Sequence, residues 1–214
     1  MTDPATRHRE RSVAIHPPMG LFGGRFDPVH RAHLALAKAV ADQLELSEIR
    51  WIVSGEAEHK AVAAPASDRL EMVRLAVAAM NDPRMIIDDR EIKAKAAGKS
   101  NYTADTLMGL QQEFPEKKFI WILGEDQLQD FTTWSRWQWL TTQMEFAVCG
   151  RPGSQGSRAA QALKQQGATI HWVGTTPDNV SSTQIREAIA AGRPIADFAP
   201  APVADYILSH HLYR

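Results

Sequence analysis

The chain has 214 residues, which suits one domain, because a single hydrophobic core typically serves roughly 100 to 200 residues. Hydrophobic residues make up 44% of the chain and charged residues 23%, which excludes a fibrous or disordered protein. The formal net charge of −1 gives no overall attraction to nucleic acid polymers or anionic membranes, so a phosphate-bearing ligand must be held by a local site.

The first 18 residues are polar and include three arginines, with no apolar segment of the kind that a signal peptide needs. We therefore expect residues 1–18 to form a flexible tail. No apolar run approaches the roughly 20 residues that span a bilayer. These features predict a cytoplasmic protein with one domain over residues 19–214.

Apolar residues predict strands and helices in alternation. A run at 19–22 ends at two glycines, as a buried strand that enters a tight turn would. A helix with one apolar face follows, and a strand at 49–53 completes a βαβ unit. Further strands are predicted at 85–87, 119–123, 146–149 and 169–173, with helices between them and two last helices that begin near Ser181 and Pro202.

This alternation predicts a doubly wound, Rossmann-like α/β domain: a parallel sheet of about six strands, helices on both faces, and a small C-terminal helical part from about residue 181. In such sheets, ligands bind beyond the carboxyl ends of the strands, where the strand order reverses. We expect three segments to converge there: residues 23–33, residues 124–126 and the stretch around Ser181.

Several local features are also predicted. Asp68, with Glu71 three residues later, resembles a capping box at a helix start. Residues 93–100 are expected to form a loop, and Thr103 to cap the next helix. Cys149 lies in an apolar strand and is expected to be a buried thiol rather than a nucleophile.

The turn at residues 23–33 has the features of a phosphate site. Two glycines let the backbone approach a ligand closely, and a helix that opens near His30 points N–H groups and a positive dipole at it. His30 and His33 lie on one face of the first helical turn, so both imidazoles can donate to the same phosphate. The same spacing occurs on solvated surfaces and in metal sites, but no third metal ligand of suitable spacing is evident.

Residues 23–33, GGRFDPVHRAH, resemble the GGxFDPxHxGH element of the adenylyl- and cytidylyltransferase superfamily, whose two histidines bind the phosphates of ATP. Residues 180–186, VSSTQIR, resemble its ISSTxIR box, where Ser181 and Gln184 also predict a capping box. Two residues depart from the family's pattern: Ala32 stands where the family usually has Gly, and Arg25 stands where Thr or Ser is common. The resemblance implies that ATP is bound by Gly23, Gly24, Arg25, Phe26, His30, His33, Ser181, Ser182, Thr183 and Arg186.

Three segments between these elements resemble bacterial nicotinate-nucleotide adenylyltransferases: YTADTL at 102–107, LGED at 123–126 and FTTW at 131–134. His59-Lys60 occupies the place of the family's PPHK segment, although residues 56–58 are Glu-Ala-Glu rather than prolines. The resemblance implies that the second substrate is bound by His59, Tyr102, Thr103, Gly124, Asp126 and Trp134.

The resemblance implies an enzyme of NAD biosynthesis that transfers AMP from Mg-ATP to nicotinic acid mononucleotide, giving nicotinic acid adenine dinucleotide and pyrophosphate. Catalysis falls to His30, His33, Arg186 and Lys60, which position and neutralise the phosphates. Mg²⁺ is expected to enter with ATP rather than in a protein metal site.

Two alternatives stay open: nicotinamide mononucleotide as the acceptor, and a non-catalytic nucleotide sensor on the same fold. Transferases for phosphopantetheine or glycerol phosphate resemble this chain only in the two terminal motifs, at residues 23–33 and 180–186. The expected partners are ATP and nicotinic acid mononucleotide, with a homo-oligomer possible and neither a nucleic acid polymer nor a membrane.

Overall fold

The computed structural model of the protein describes residues 17–55, 63–100, 102–150, 157–174 and 180–214. Residues 1–16 of the predicted tail at 1–18, and the predicted site residues His59 and Lys60, lie outside the described residues.

A parallel sheet forms the centre of the domain. Its strands are β1 (Met19–Gly24), β2 (Glu48–Val53), β3 (Met85–Asp88), β4 (Phe119–Gly124), β5 (Glu145–Cys149) and β6 (Ile170–Val173). Their order across the sheet is β3-β2-β1-β4-β5-β6, and every pair of neighbours is parallel. The predicted doubly wound α/β fold with about six strands is therefore confirmed.

Helices connect the strands. They are α1 (Arg31–Gln43), α2 (Ala66–Met80), α3 (Arg90–Ala96), α4 (Thr103–Glu113), α5 (Glu125–Asp130), a 3₁₀ helix (Phe131–Thr133), α6 (Trp137–Gln143), α7 (Arg158–Gln165), α8 (Ser182–Ala190) and α9 (Ala201–Ser209). In the described ranges, no helix is both long and apolar enough to cross a bilayer.

Each face of the sheet carries its own hydrophobic core, because successive strand residues point to opposite faces. The core that contains Phe22, Trp51 and Ile122 is covered by α1, α2, α8 and α9. The core on the opposite face contains Leu21 and Trp121 and is covered by α4, α5, α6 and α7. Strands buried on both faces account for the continuous apolar runs in the sequence.

The strand order reverses between β1 and β4. From β1 the chain moves outward to β2 and β3, then returns to place β4 on the other side of β1. The loops that leave β1 and β4 therefore diverge to opposite sides and open a crevice at the carboxyl edge of the sheet.

Three local predictions are wrong. Helix α2 begins at Ala66 after Pro65, so Asp68 lies within the first turn and accepts a hydrogen bond from the Tyr206 hydroxyl at 2.9 Å instead of starting the helix. Part of the expected loop at 93–100 is helical, since α3 continues to Ala96. The N-cap of α4 is Tyr102, and Thr103 is the first helical residue.

The short helices after β4 were not predicted from the sequence. Helices α5 and α6 and the 3₁₀ helix between them occupy most of residues 125–143. Each has at most seven residues, too few for an apolar period to be recognised.

Candidate active site

A cleft of about 890 Å³ lies at the carboxyl edge of the sheet. Its described lining comes from residues 22–36, from the end of β1 into α1, residues 124–129, from the end of β4 into α5, residues 149–150 at the end of β5, and residues 180–186 at the start of α8. The predicted convergence of three segments is therefore confirmed. The volume is within the range of roughly 300 to 1,000 Å³ typical of small-molecule sites.

Two histidines lie at the start of α1. His30 is the N-cap residue, and its ring stacks on that of His33 with centroids 3.7 Å apart and planes 30° apart. The backbone N–H of His30 donates to Nδ1 of His33 at 3.2 Å. Because Nδ1 accepts this bond, the proton of a neutral His33 ring resides on Nε2.

The surroundings of His33 keep it uncharged. Burial lowers the pKa of His33 well below its ordinary value, and the neighbouring His30 lowers it further. The ring of Phe26 packs edge-on against His33 at 5.2 Å. Phe26 is 3% exposed. The resemblance assigns Phe26 to ATP binding, and in the structure its ring also supports the His33 imidazole.

The start of α8 is fixed by its own side chains. The Ser181 hydroxyl accepts from the Gln184 N–H at 3.2 Å, and the Ser181 N–H donates to Gln184 Oε1 at 2.8 Å. The predicted capping box is confirmed. It leaves the first N–H groups of α8 at the cleft, which the start of α1 also lines.

Two hydrogen bonds join α8 to the turn after β1. Ser182 Oγ donates to the Pro28 carbonyl at 2.9 Å, and Arg186 Nη1 donates to the Asp27 carbonyl at 2.7 Å. Arg186 Nη2 also donates to Thr183 Oγ1 at 3.2 Å. Arg186 is thus oriented before any ligand arrives, and its charge lies at the cleft.

Arg69 supports the site from α2 and was not found by sequence reasoning. Its side chain is fully buried and donates to the carbonyls of Arg25 at 2.8 Å, Ser54 at 2.9 Å and Gly55. The available signal was the position of Arg69, one helical turn before the buried residues Met72 and Val73. A cation at such a position indicates a partner nearby, because charged residues are rarely buried without partners.

The chain is similar to known proteins over most of its length. Residues 21–188 match the family described as Cytidylyltransferase-like. Two curated relatives are named "Probable nicotinate-nucleotide adenylyltransferase": one from Laribacter hongkongensis is 38% identical, covering 92% of this chain and 94% of the relative, and one from Albidiferax ferrireducens is 40% identical, covering 92% and 98%. The chain belongs to the nicotinate-nucleotide adenylyltransferase family.

A solved structure shares the fold. It is Plasmodium falciparum nicotinic acid mononucleotide adenylyltransferase complexed with NaAD, with a TM-score of 0.76, 19% identity, and coverage of 92% of this chain and 98% of that chain. The same arrangement of strands and helices therefore occurs in a distant adenylyltransferase.

The residues that the family resemblance assigns to the second substrate fall into two groups. Gly124 and Asp126 line the cleft, and Oδ1 of Asp126 lies so close over Gly124 that a Cβ there would be 2.6 Å from it. Tyr102, Thr103 and Trp134 are not among the described lining residues.

Trp134 packs on the core that α4 helps to cover. It is half-buried, with its ring edge-on to Trp121 at 6.1 Å. Two residues later, Arg136 Nη1 lies 3.8 Å from Oδ1 of Asp105 in the first turn of α4. Arg136 therefore joins the segment after Trp134 to the first turn of α4.

Cys149 lines the cleft as a half-buried residue at the end of β5. The prediction of a fully buried thiol is therefore wrong, but partial burial raises the pKa of the Cys149 thiol to about 12, so it stays protonated, as the predicted lack of nucleophilic character requires. Among the described residues, no three His, Cys, Asp or Glu side chains converge as a metal site would require.

Proposed function

We propose that this member of the family transfers AMP from Mg-ATP to nicotinic acid mononucleotide, giving nicotinic acid adenine dinucleotide and pyrophosphate. The observation that carries the proposal is the stacked His30-His33 pair at the start of α1, in the same cleft as Arg186. The names of the relatives support the same reaction.

The triphosphate of ATP is assigned to the space between the starts of α1 and α8. Two helix N-termini place positive dipoles there. His33 donates from Nε2 as a neutral group, and Arg186 supplies a fixed cation. This space is bordered by Gly23, Gly24, Arg25 and residues 181–183.

The reaction needs positioning and charge stabilisation more than a base. An oxygen of the acceptor's 5′-phosphate attacks the α-phosphorus of ATP, and the bond from that phosphorus to the bridging oxygen breaks. The electron pair leaves with pyrophosphate, whose charge is met by Mg²⁺, the imidazoles and Arg186. The attacking phosphate is already ionised, so neither a general base nor a covalent intermediate is required.

The acceptor is assigned to the side of the cleft beyond β4. Asp126 accepts hydrogen bonds from ribose hydroxyls. The N–H groups that follow Tyr102 and Thr103 receive the nicotinate carboxylate, and Trp134 stacks on the flat ring. Lys60 and His59 are assigned to the phosphates and to the acceptor, respectively, on sequence alone.

We also propose one domain over residues 19–214, with α8 and α9 as its C-terminal helical part. Their apolar residues belong to the same core as those of α1 and α2, which supports a single domain. A cytoplasmic location and a homo-oligomer stay predictions.

The test is an acceptor comparison. The protein is incubated with Mg-ATP and, separately, with nicotinic acid mononucleotide or nicotinamide mononucleotide, and pyrophosphate and dinucleotide are measured. We expect a higher kcat/KM with the nicotinate form. Activity with only the nicotinamide form would overturn the acceptor assignment, and ATP binding without pyrophosphate release would indicate a sensor.

A further inference from the structure

Asp27 joins the turn after β1 to a distant part of the chain. Its side chain is 4% exposed, and its carboxylate accepts three hydrogen bonds from residues that the structure describes. Oδ2 accepts from the Ala63 N–H at 2.7 Å, and Oδ1 accepts from the Ala64 N–H at 3.1 Å and from the Tyr213 hydroxyl at 2.8 Å.

The backbone of Asp27 has a second role. Its carbonyl accepts the hydrogen bond from Arg186 Nη1, so the position of the Asp27 peptide group determines where that guanidinium lies. Anything that holds the Asp27 side chain therefore also holds Arg186.

Tyr213 approaches Asp27 from the C-terminal end of the chain. The Leu212 N–H donates to the Ile207 carbonyl at 3.1 Å, which turns the chain back after α9. The Tyr213 ring packs against the core that α1 and α2 cover. Burial raises the pKa of the Tyr213 hydroxyl, and Asp27 raises it further. The hydroxyl is thus a permanent donor at neutral pH.

We propose that Tyr213 is a positioning residue for ATP binding, which acts through the Asp27 carboxylate on Arg186. Without the hydroxyl, Oδ1 of Asp27 keeps one described donor instead of two, and the turn that carries the Arg186 acceptor loosens. This inference extends the ATP side of the proposed function to the last residues of the chain, and it rests on that function for the role of Arg186.

The chain offers a matched control. Tyr206 donates to Oδ1 of Asp68 at 2.9 Å, a bond of the same chemistry that joins α9 to α2. Neither Tyr206 nor Asp68 is among the described residues of the cleft. Tyr206→Phe therefore removes a comparable tyrosine-carboxylate bond without touching the turn, while Tyr213→Phe keeps the ring and removes only the hydroxyl.

The experiment compares these two variants with wild type in three measurements. The first is amide hydrogen exchange in the peptide that contains Ala63 and Ala64, the second is the Kd of Mg-ATP by calorimetry, and the third is kcat and KM for both substrates. For Tyr213→Phe, we expect exchange at Ala63 and Ala64 to accelerate and the Kd of ATP to rise, each about fivefold to tenfold, as loss of one buried hydrogen bond implies. The KM for the acceptor should stay within about twofold of wild type, because the acceptor lies on the other side of the cleft.

An Arg186→Lys background separates positioning from general destabilisation. If Tyr213 acts through Arg186, Tyr213→Phe should weaken ATP binding less in that background than in wild type. Equal ATP affinities for Tyr213→Phe and Tyr206→Phe, or full additivity with Arg186→Lys, would overturn the proposal. Absence of dinucleotide with wild type would instead overturn the proposed reaction, and ATP binding and hydrogen exchange would still decide the role of Tyr213.

Discussion

The indole ring of Trp121 occupies the space that a side chain at Gly23 would need. A Cβ on Gly23 would lie 2.5 Å from Cζ2 of Trp121, well inside van der Waals contact. Trp121 is 2% exposed, and its ring packs edge-on against Trp134. Glycine at position 23 is therefore required by packing against Trp121.

Gly23→Ala should destabilise the protein, because the added methyl group forces the Trp121 ring or the β1 backbone to shift. We expect a loss of about 1 to 3 kcal/mol in the free energy of unfolding, measured by denaturant titration. Gly174→Ala is the control, since a Cβ there would meet nothing within 4 Å. Equal stabilities of the two variants would contradict this account of Gly23.

His33 should remain neutral through the physiological range. An unfolded histidine binds a proton near pH 6.5, whereas burial and His30 hold the pKa of folded His33 well below that value. Its stabilising contribution is therefore present above about pH 6.5 and is lost as the pH falls. Nitrogen NMR of the imidazoles, with His33→Gln for assignment, should show no titration of His33 between about pH 6 and 8. A midpoint near 6.5 would contradict the prediction.

His33→Ala should reduce kcat by on the order of 10² to 10³, because a donor to the transferring phosphates is lost while the helix itself is retained. His210→Ala, at the exposed end of α9, should leave kcat unchanged. Steady-state kinetics and circular dichroism of both variants provide the check. Near wild-type turnover of His33→Ala would rule out a role for this imidazole in catalysis.

Arg69→Met should cost about 2 to 5 kcal/mol of stability, because several carbonyl groups lose their buried donor at once. The turn after β1 should loosen with it, so KM for ATP should also rise. Arg74→Met on the same helix removes an exposed ion pair with Glu71 and should change stability by less than about 0.5 kcal/mol. Similar thermal unfolding curves for the two variants would refute the role assigned to Arg69.

Glu91 predicts a pH dependence of the opposite sign to that of His33. Its carboxyl is buried and accepts a hydrogen bond from Thr106 Oγ1 at 2.8 Å, and burial raises the pKa of Glu91 to about 7. Stability is therefore fully present below the unfolded value of about 4.3 and is lost as the pH rises toward 7.

Glu91→Gln keeps an acceptor for Thr106 and stays neutral at every pH. It should be more stable than wild type at pH 8 by roughly 3 to 4 kcal/mol, and the difference should vanish near pH 4. Glu187→Gln, at an exposed site on α8, serves as the control. A pH-independent difference for Glu91→Gln would show that Glu91 does not titrate as described.

Local sequence patterns predicted the parts of the site that are built locally. The strand, glycine turn and helix around His30 were predicted correctly, and so was the capping box of Ser181 and Gln184, because each depends on residues a few positions apart. Asp68 and Glu71 have a similar pattern, but the capping box predicted from it is wrong. Pro65 sets the start of that helix, and Asp68 bonds instead to Tyr206, which is distant in sequence.

The hydrogen bonds that hold the site in place could not be predicted from local sequence patterns. Arg69 bonds to carbonyls at positions 25 and 54, and Arg186 bonds to the carbonyl of Asp27. Backbone carbonyls carry no residue identity, so a sequence gives no sign of such partners. The motif predicted that Arg186 belongs to the site, but only the fold reveals what orients it.

The fate of a labelled phosphate tests the proposed reaction most directly. ATP labelled with ³²P at the α-position is incubated with the protein, Mg²⁺ and nicotinic acid mononucleotide, and a parallel reaction uses a γ-label. Transfer of AMP predicts that the α-label enters the dinucleotide and the γ-label enters pyrophosphate, in equal amounts and only when the acceptor is present. Release of the γ-label as inorganic phosphate, or no acceptor-dependent transfer of the α-label, would contradict the proposed reaction.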